Sequence, residues 1–128
     1  AAGTEVLVVI APLNEATRGL IGERVLAALP DGALVVNVAR GAVVDTDALT
    51  REVVSGRLRA ALDVVDPEPL PAGHPLWGCT NAIITPHVGG NSEAFTPRIE
   101  GFLRRQVQRL AAGQEPLNLV QPGPWKQD

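Results

Sequence analysis

Four apolar segments of strand length recur along the chain. They are Val6–Ala11, Leu34–Val38, Leu62–Val65 and Ile83–Thr85. Valine and isoleucine dominate these segments without regular alternation with polar residues, which is typical of parallel strands covered on both faces. Helical patterns separate the first three segments, at Glu23–Leu29 and from about Thr46 to Ser55. This alternation of strands and helices predicts an α/β fold with a parallel sheet.

The chain after the third strand departs from this alternation. The connection Asp66–Asn81 contains four prolines, which predict an irregular loop. Beyond the fourth strand, apolar residues at helical spacing predict a long C-terminal helix from Phe95 to Ala112, ended by Gly113. Leu117–Val120 is expected to form a short extended segment, and residues 121–128 a loose tail.

The composition narrows the class of function. A net charge of −3 over 128 residues and an aromatic content of 3% favour neither nucleic-acid attraction nor base stacking. The single cysteine, Cys79, excludes an internal disulfide and a CxxC metal or redox motif, and no metal site is expected. No apolar run approaches the ~18 residues that span a bilayer, and the N-terminus lacks a signal-peptide pattern. We therefore expect a cytoplasmic protein without a membrane partner.

Charged side chains follow three of the predicted strands. Arg40 follows the second strand, Glu68 the third and His87 the fourth. Because the carboxyl ends of parallel strands lie along one edge of a sheet, where ligands bind, we expect these three side chains to converge.

The three side chains suit the chemistry of a small organic acid. The imidazole of His87 can give or take a proton near neutral pH. A carboxylate such as Glu68 favours the protonated ring and fixes its orientation. The guanidinium of Arg40 can bind a carboxylate through two hydrogen bonds. Such a site would move a proton on an oxygen beside the carboxylate and would leave redox chemistry to a cofactor.

Three linked motifs resemble those of the D-isomer-specific 2-hydroxyacid dehydrogenases. They are Val36–Gly41, the segment from Leu62 to Pro69, and Thr85–Gly90. Their order and intervals match the family, as do Pro12-Leu13 and Thr17–Ile21, and the resemblance extends from Val6 to Val120. Formate dehydrogenases of the same superfamily carry glutamine at the position of Glu68, which argues against that branch.

The resemblance implies an NAD-dependent oxidoreductase that interconverts 2-keto acids and D-2-hydroxy acids, with NADP not excluded. It assigns His87 as the general acid or base, Glu68 as its paired carboxylate and Arg40 as the anchor for the substrate carboxylate. Asp63 matches the residue that contacts the nicotinamide end, and Thr17 a hydroxyl that meets the pyrophosphate. The residues implied to line the cofactor cleft are Pro12, Thr17, Val38, Ala39, Arg40, Asp63, His87, Gly89 and Gly90.

The chain lacks the GxGxxG turn of the family and a separate substrate domain. It therefore resembles the C-terminal portion of such an enzyme. Residues 1–92 are expected to form the second half of a doubly wound Rossmann-type domain, and residues 93–120 to return towards a substrate domain. Without the upstream half, these 128 residues are expected to bind NAD weakly and to be inactive. The family also implies a homodimer in the complete protein.

Structural roles are also possible for several of these residues. Arg40 could cap a helix or pair with Asp45, and Thr17 could cap the approach to Glu23–Leu29. Asp63 could form a hydrogen bond to the backbone at a strand end, which would offset its desolvation inside an apolar run.

The loop residues admit structural interpretations too. His87 could be an ordinary loop histidine and Glu68 merely solvated, whereas His74, Trp77 and Cys79 are expected to be structural. Two further functions stay open for the chain: an NAD-sensing corepressor-like scaffold, which the family resembles as well, and a non-catalytic fragment of such an enzyme.

Overall fold

The computed structural model describes residues 3–119. Four parallel strands form one sheet in the order β1-β2-β3-β4: β1 is Val6–Val9, β2 is Leu34–Asn37, β3 is Arg59–Leu62 and β4 is Ala82–Ile84. The helices are α1 (Glu23–Ala27), α2 (Thr46–Val54) and α3 (Phe95–Ala111), with short 3₁₀ turns at Gly41–Val43 and Pro75–Gly78. The predicted α/β fold with a parallel sheet is confirmed.

The third strand begins three residues earlier than the sequence predicts. The expected strand was Leu62–Val65, but the residues that pair with β2 are Arg59–Leu62. Val64 is nevertheless buried, at 2% exposure. The apolar pattern therefore predicts the burial of Val64 correctly, but its prediction of strand pairing beyond Leu62 is wrong. A residue can be buried in the core after its segment has left the sheet. As a result Asp63 lies just beyond the strand, at the carboxyl edge.

Both α1 and α2 pack on one face of the sheet. The row Val9–Asn37–Leu62–Ile84 runs across this face, where it meets the buried side chains of the helices. Helix α2 begins at the N-cap Asp45, whose carboxylate accepts a hydrogen bond from the amide of Ala48 at 2.9 Å. Helix α2 contributes Leu49 and Val53 to the core.

The opposite face of the sheet is not covered by the described residues of the first part of the chain, 3–89. Its central row is Val8–Val36–Ala61–Ile83, in which Val8 is 52% and Ile83 67% exposed. The expectation that the strands are covered on both faces is therefore wrong for this part of the chain taken alone. The reason is topological: both helical crossovers lie on the same side of a sheet whose strands follow one another in sequence order.

The proline-rich loop contains one ordered turn. His74 precedes the 3₁₀ turn Pro75–Gly78, and its Nδ1 accepts a hydrogen bond from the amide of Leu76 at 3.3 Å. Proline is well suited to the first position of such a turn, because its missing amide hydrogen would have no partner there. Leu76 is buried at 2% exposure and connects the loop to the core.

The chain divides into two compact units, Ala1–Gly89 and Gly90–Asp128. In the second, α3 ends one residue before the predicted boundary and is followed by Gly113 in a left-handed conformation. The predicted extended segment after it is wrong for Leu117 and Asn118, which form a turn with Asn118 at φ 54°. The side-chain amide of Gln106 pairs with the backbone of Leu117. Its Oε1 accepts from the amide of Leu117 at 2.8 Å and its Nε2 donates to the carbonyl of Leu117 at 2.9 Å, so these backbone groups are paired without a neighbouring strand. Val120 and the predicted tail lie outside the described residues.

Candidate active site

Polar side chains collect at the carboxyl ends of the strands in residues 1–89. Arg40 follows β2, Asp63 follows β3 and His87 follows β4. Glu68 belongs to the loop that begins after β3. The parallel topology accounts for this placement, since every strand ends at the same edge of the sheet.

Glu68 and His87 form a direct pair. Glu68 Oε1 lies 2.7 Å from His87 Nδ1, and the two side chains are 41% and 44% exposed. Both line a cavity of about 440 Å³, whose apolar lining includes Leu70, Trp77 and Ile84. The carboxylate engages Nδ1 and thereby orients the ring, so that Nε2 is the nitrogen available to a ligand. The pair can therefore hold and move one proton beside an apolar surface.

Asp63 binds the segment that carries His87. Its Oδ1 accepts hydrogen bonds from the hydroxyl of Thr85 and from the amide of Val88 at 2.9 Å, and its Oδ2 accepts one from the amide of Gly89 at 2.7 Å. The Thr85 hydroxyl, followed by the amides of Gly89 and Val88, holds the pKa of Asp63 below its usual value. Asp63 therefore forms hydrogen bonds to the backbone, as in the structural alternative that the sequence allowed for this residue.

Asn37 shapes the turn that presents Arg40. It is 1% exposed, and its Oδ1 accepts a hydrogen bond from the amide of Ala39 while its Nδ2 donates one to the carbonyl of Arg40, both at 3.1 Å. Sequence reasoning gave Asn37 no role. The available signal was a lone amide at the end of an apolar strand, because a buried amide requires nearby hydrogen-bond partners.

The guanidinium of Arg40 donates a hydrogen bond from Nη1 to the carbonyl of Ala39 at 2.6 Å. The possible pairing with Asp45 does not occur, since that carboxylate caps α2. Arg40 lines a different cavity from that of His87 and Glu68. The structure thus brings Glu68 and His87 into contact and leaves Arg40 apart from them, at the same edge.

The cavity beside Arg40 has a volume of about 550 Å³ and a lining that is apolar in its side chains apart from Arg40. Its lining comprises Ile10, Ala11, Pro12, Leu13, Val38, Ala39 and Arg40. Ile10, Leu13 and Val38 expose apolar side chains. Such side chains at the carboxyl edge of a parallel sheet suit a flat heterocyclic ring, so the predicted residues Pro12, Val38 and Ala39 could hold part of a dinucleotide cofactor. Gly90, the other predicted glycine, belongs to the second unit.

Thr17 closes the turn after β1. Its hydroxyl donates to the carbonyl of Pro12 at 2.6 Å and accepts from the amide of Asn14 at 2.8 Å. It does not cap α1, because the N-cap there is Gly22 and no side chain bonds to it. Thr17 therefore holds Pro12 in place at the edge of the cavity.

Gly41 permits two backbone segments of the site to meet. A Cβ atom at this position would overlap the carbonyl group of Val65. The segment that follows Arg40 and the segment that follows Asp63 therefore touch through their backbones. Sequence reasoning did not assign Gly41 a role, and a glycine directly after Arg40 at a strand end was the available signal.

The remaining candidate residues have structural contacts. Trp77 Nε1 donates to the carbonyl of Pro71 at 2.9 Å, and Cys79 Sγ lies 3.5 Å from the carbonyl oxygen of Pro75. Within residues 3–119, no cluster of three or more histidine, cysteine, aspartate or glutamate residues could hold a metal ion. In the same range, no helix is long and apolar enough to cross a membrane.

Residues 1–89 match the family described as D-isomer specific 2-hydroxyacid dehydrogenase, NAD binding domain. The chain belongs to this family. Glyoxylate/hydroxypyruvate reductase B of Pectobacterium atrosepticum is 44% identical over 122 residues, which are 94% of this chain and 38% of that protein. The predicted family, Rossmann-type fold and NAD-binding domain are confirmed.

Two solved dehydrogenase structures resemble the chain. A D-isomer specific 2-hydroxyacid dehydrogenase from Xanthobacter autotrophicus Py2, in complex with NADPH and MES, has a TM-score of 0.80 at 43% identity and covers 94% of this chain and 49% of its own. An NAD-dependent formate dehydrogenase from Staphylococcus aureus, in complex with NAD, has a TM-score of 0.81 at 28% identity, over 95% of this chain and 38% of its own. The chain thus spans less than half of each relative.

Proposed function

We propose that a protein containing this chain is an NAD(P)-dependent oxidoreductase that interconverts a small 2-keto acid and the corresponding D-2-hydroxy acid. The contact between Glu68 Oε1 and His87 Nδ1 at 2.7 Å, at the carboxyl edge of an NAD-binding sheet, is the observation that supports it. Glyoxylate and hydroxypyruvate are the first substrates to consider, because they appear in the names of several relatives.

In this proposal His87 moves the proton. With Nδ1 bonded to Glu68, Nε2 donates a proton to the C2 oxygen during reduction and takes it back during oxidation. Glu68 keeps the orientation of the ring fixed through this contact. The hydride chemistry at C2 would come from a nicotinamide cofactor when one is bound.

Arg40 binds the carboxylate of the substrate. Within residues 3–119, one Nη1 donor of Arg40 is used, by the carbonyl of Ala39, so the remaining edge of the planar guanidinium can pair with a carboxylate. Pro12, Val38 and Ala39 would hold part of the dinucleotide in the cavity that Arg40 also lines. Because Arg40 lines a neighbouring cavity, we propose that the substrate lies between it and the imidazole.

A panel assay tests this function. The complete protein is purified and incubated with NADH or NADPH and glyoxylate, hydroxypyruvate or larger 2-keto acids, while cofactor oxidation is followed by absorbance. We expect substrate-dependent oxidation and a D-configured product wherever C2 becomes chiral. Tight cofactor binding without turnover on any keto acid would contradict the enzyme and favour the NAD-sensing scaffold.

We also propose a domain organisation and an oligomeric state for the complete protein. Residues 1–92 would form the second half of the nucleotide-binding domain and residues 93–120 would return towards a substrate domain. We expect a cytoplasmic homodimer, as the family implies, and an isolated chain that binds NAD weakly because it lacks the GxGxxG turn. Sedimentation of the complete protein and calorimetric titration of the 128 residues with NAD test these two points.

A further inference from the structure

We propose that Asp63 is a positioning residue for His87, acting through the backbone on both sides of the histidine rather than through the imidazole. The inference rests on the proposed role of His87 in moving the proton. Asp63 binds the Thr85 hydroxyl on one side of His87 and the amides of Val88 and Gly89 on the other. The carboxylate therefore spans the segment that has the catalytic histidine at its centre.

The backbone of His87 needs such support. Its φ is 55°, in the left-handed region that residues with a Cβ atom adopt rarely. A strained conformation persists only where the surrounding structure determines it, and such residues concentrate at functional sites. The neighbouring hydrogen bonds to Asp63 supply this constraint, and they are charge-assisted, which makes them stronger than bonds between neutral groups.

The chemistry of the contact requires a carboxylate. All three partners donate, and an ionised carboxyl group offers only acceptors. An asparagine would retain one oxygen and would turn an amino group towards a backbone amide, where two donors face each other. The isosteric change Asp63→Asn therefore removes part of the contact without changing the volume of the side chain.

Gly89 independently marks the same contact. A Cβ atom at this position would lie 2.8 Å from Asp63 Oδ2, closer than real Cβ atoms approach. The segment after β4 thus approaches the carboxylate so closely that a side chain at residue 89 would displace it. Contact with a cofactor alone does not require the Asp63 carboxylate to pack this closely against the backbone of Gly89.

A direct contact between Asp63 and the cofactor is the competing explanation, and kinetics of the complete protein separate the two. If Asp63 positions His87, Asp63→Asn should lower kcat by about tenfold or more while the cofactor Kd and the KM for the keto acid change by less than about twofold. A loss confined to cofactor affinity would overturn the inference. Asp47→Asn, an exposed aspartate in the first turn of α2, is the matched control and should leave all three constants unchanged.

A double-mutant cycle with His87→Ala shows whether the effect passes through the imidazole. Once the imidazole is removed, Asp63→Asn should have little further effect on the residual kcat, because its target is gone. Full additivity of the two losses would overturn the positioning role. If His87→Ala alone leaves turnover intact, the proposed function fails instead, so the two failures are distinguishable.

Thr85→Val provides a test that does not depend on the folding of the aspartate variants. It removes one donor to Asp63 and keeps the shape of the side chain. We expect a smaller fall in kcat than for Asp63→Asn, again with KM unchanged and again absent when combined with His87→Ala. An unchanged kcat in a folded Thr85→Val variant would overturn the inference.

Discussion

Glu68 Oε1 lies 2.7 Å from His87 Nδ1, although 19 residues separate the two along the chain. Strand β4 and the turn after it bring the histidine to the loop that follows β3. The contact therefore depends on the pairing of the last two strands, which brings together side chains from two different loops.

Replacement of His87 tests the central role in this arrangement. In the complete protein, His87→Ala should reduce kcat by at least about a hundredfold, as expected for the loss of a general acid. Glu68→Gln retains a hydrogen-bond acceptor but removes the charge, so a smaller loss is expected. Steady-state assays of keto-acid reduction measure both.

His74, the other histidine of the chain, provides the matched control for His87. His74 caps a 3₁₀ turn and should have no direct part in turnover. His74→Ala should therefore leave kcat within about twofold of the unmodified protein. Equal losses for the two histidine variants would contradict the assignment.

Arg40 is expected to act in binding rather than in proton transfer. Arg40→Ala should raise the KM for the keto acid with a smaller effect on kcat, because the interaction is formed before the transition state. Arg40→Lys keeps the charge and loses the planar pair of donors, so it should recover only part of the affinity. A KM that does not change in either variant would remove Arg40 from the substrate site.

The sequence predicted the positions of the candidate residues better than the contacts that support them. Arg40, Glu68 and His87 could be placed at one edge because the carboxyl ends of parallel strands lie along the same edge of a sheet. The local signals at Asn37 and Gly41, a lone amide and a glycine at a strand end, do not reveal which groups these residues contact. The Asn37 amide folds back onto its own turn, and Gly41 makes a backbone contact with Val65, which follows a different strand.

Asp63 illustrates the limit of apolar patterns. The flanking residues Leu62 and Val64 are buried, so the pattern extended the strand through the aspartate. Pairing with β2 in fact ends at Leu62, and the carboxylate binds the turn after β4. Hydrophobicity predicts which residues leave water, whereas the end of a ladder depends on which neighbouring backbone is in reach.

Gly41 should be intolerant of any side chain. A methyl group there would overlap the carbonyl of Val65, and separating the two segments would disturb the core beneath them. We expect Gly41→Ala to lower the free energy of unfolding by about 1–3 kcal/mol, the usual cost of overpacking. Gly73→Ala is the control, since a Cβ at Gly73 meets no atom within 4 Å and should cost little. Chemical denaturation measures both, and equal stabilities would contradict the close approach.

Asn37 should affect both stability and the function of Arg40. Asn37→Ala leaves the amide of Ala39 without its partner and removes one of the two donors to the carbonyl of Arg40, which keeps the amide of Val43. The unsatisfied amide should cost about 1–3 kcal/mol of unfolding free energy. Because the turn carries Arg40, the KM for the keto acid should rise as well. Denaturation and steady-state kinetics of the complete protein provide the two measurements.

A substitution at Asn81 is the control that distinguishes the loss of stability from the rise in KM. Asn81 Nδ2 donates to the carbonyls of Val53 and Leu58, both at 2.8 Å. Asn81 directly precedes β4 and so lies at the amino edge of the sheet, whereas the candidate site lies at the carboxyl edge. Asn81→Ala should destabilise the fold by a similar amount while leaving KM unchanged. A rise in KM of the same size in both variants would mean that lost stability, rather than the position of Arg40, explains the Asn37 result.

The hydrogen bonds to Asp63 predict an acid-sensitive contribution to stability. They hold the pKa of this carboxyl group below its usual value, so the folded state binds a proton there less readily than the unfolded chain does. The contribution should be complete above about pH 4, the usual aspartate range, and should be lost as the pH falls through the lowered pKa. The stability difference between the unmodified protein and Asp63→Asn should therefore be constant from neutral pH to about pH 5 and shrink in more acidic solution. Because Thr85 provides the largest part of the effect, Thr85→Val should move this loss to higher pH.

Denaturant titrations at a series of pH values measure the stability difference between the unmodified protein and Asp63→Asn. A stability difference that grows as the solution becomes more acidic would show that these donors do not hold the Asp63 carboxylate.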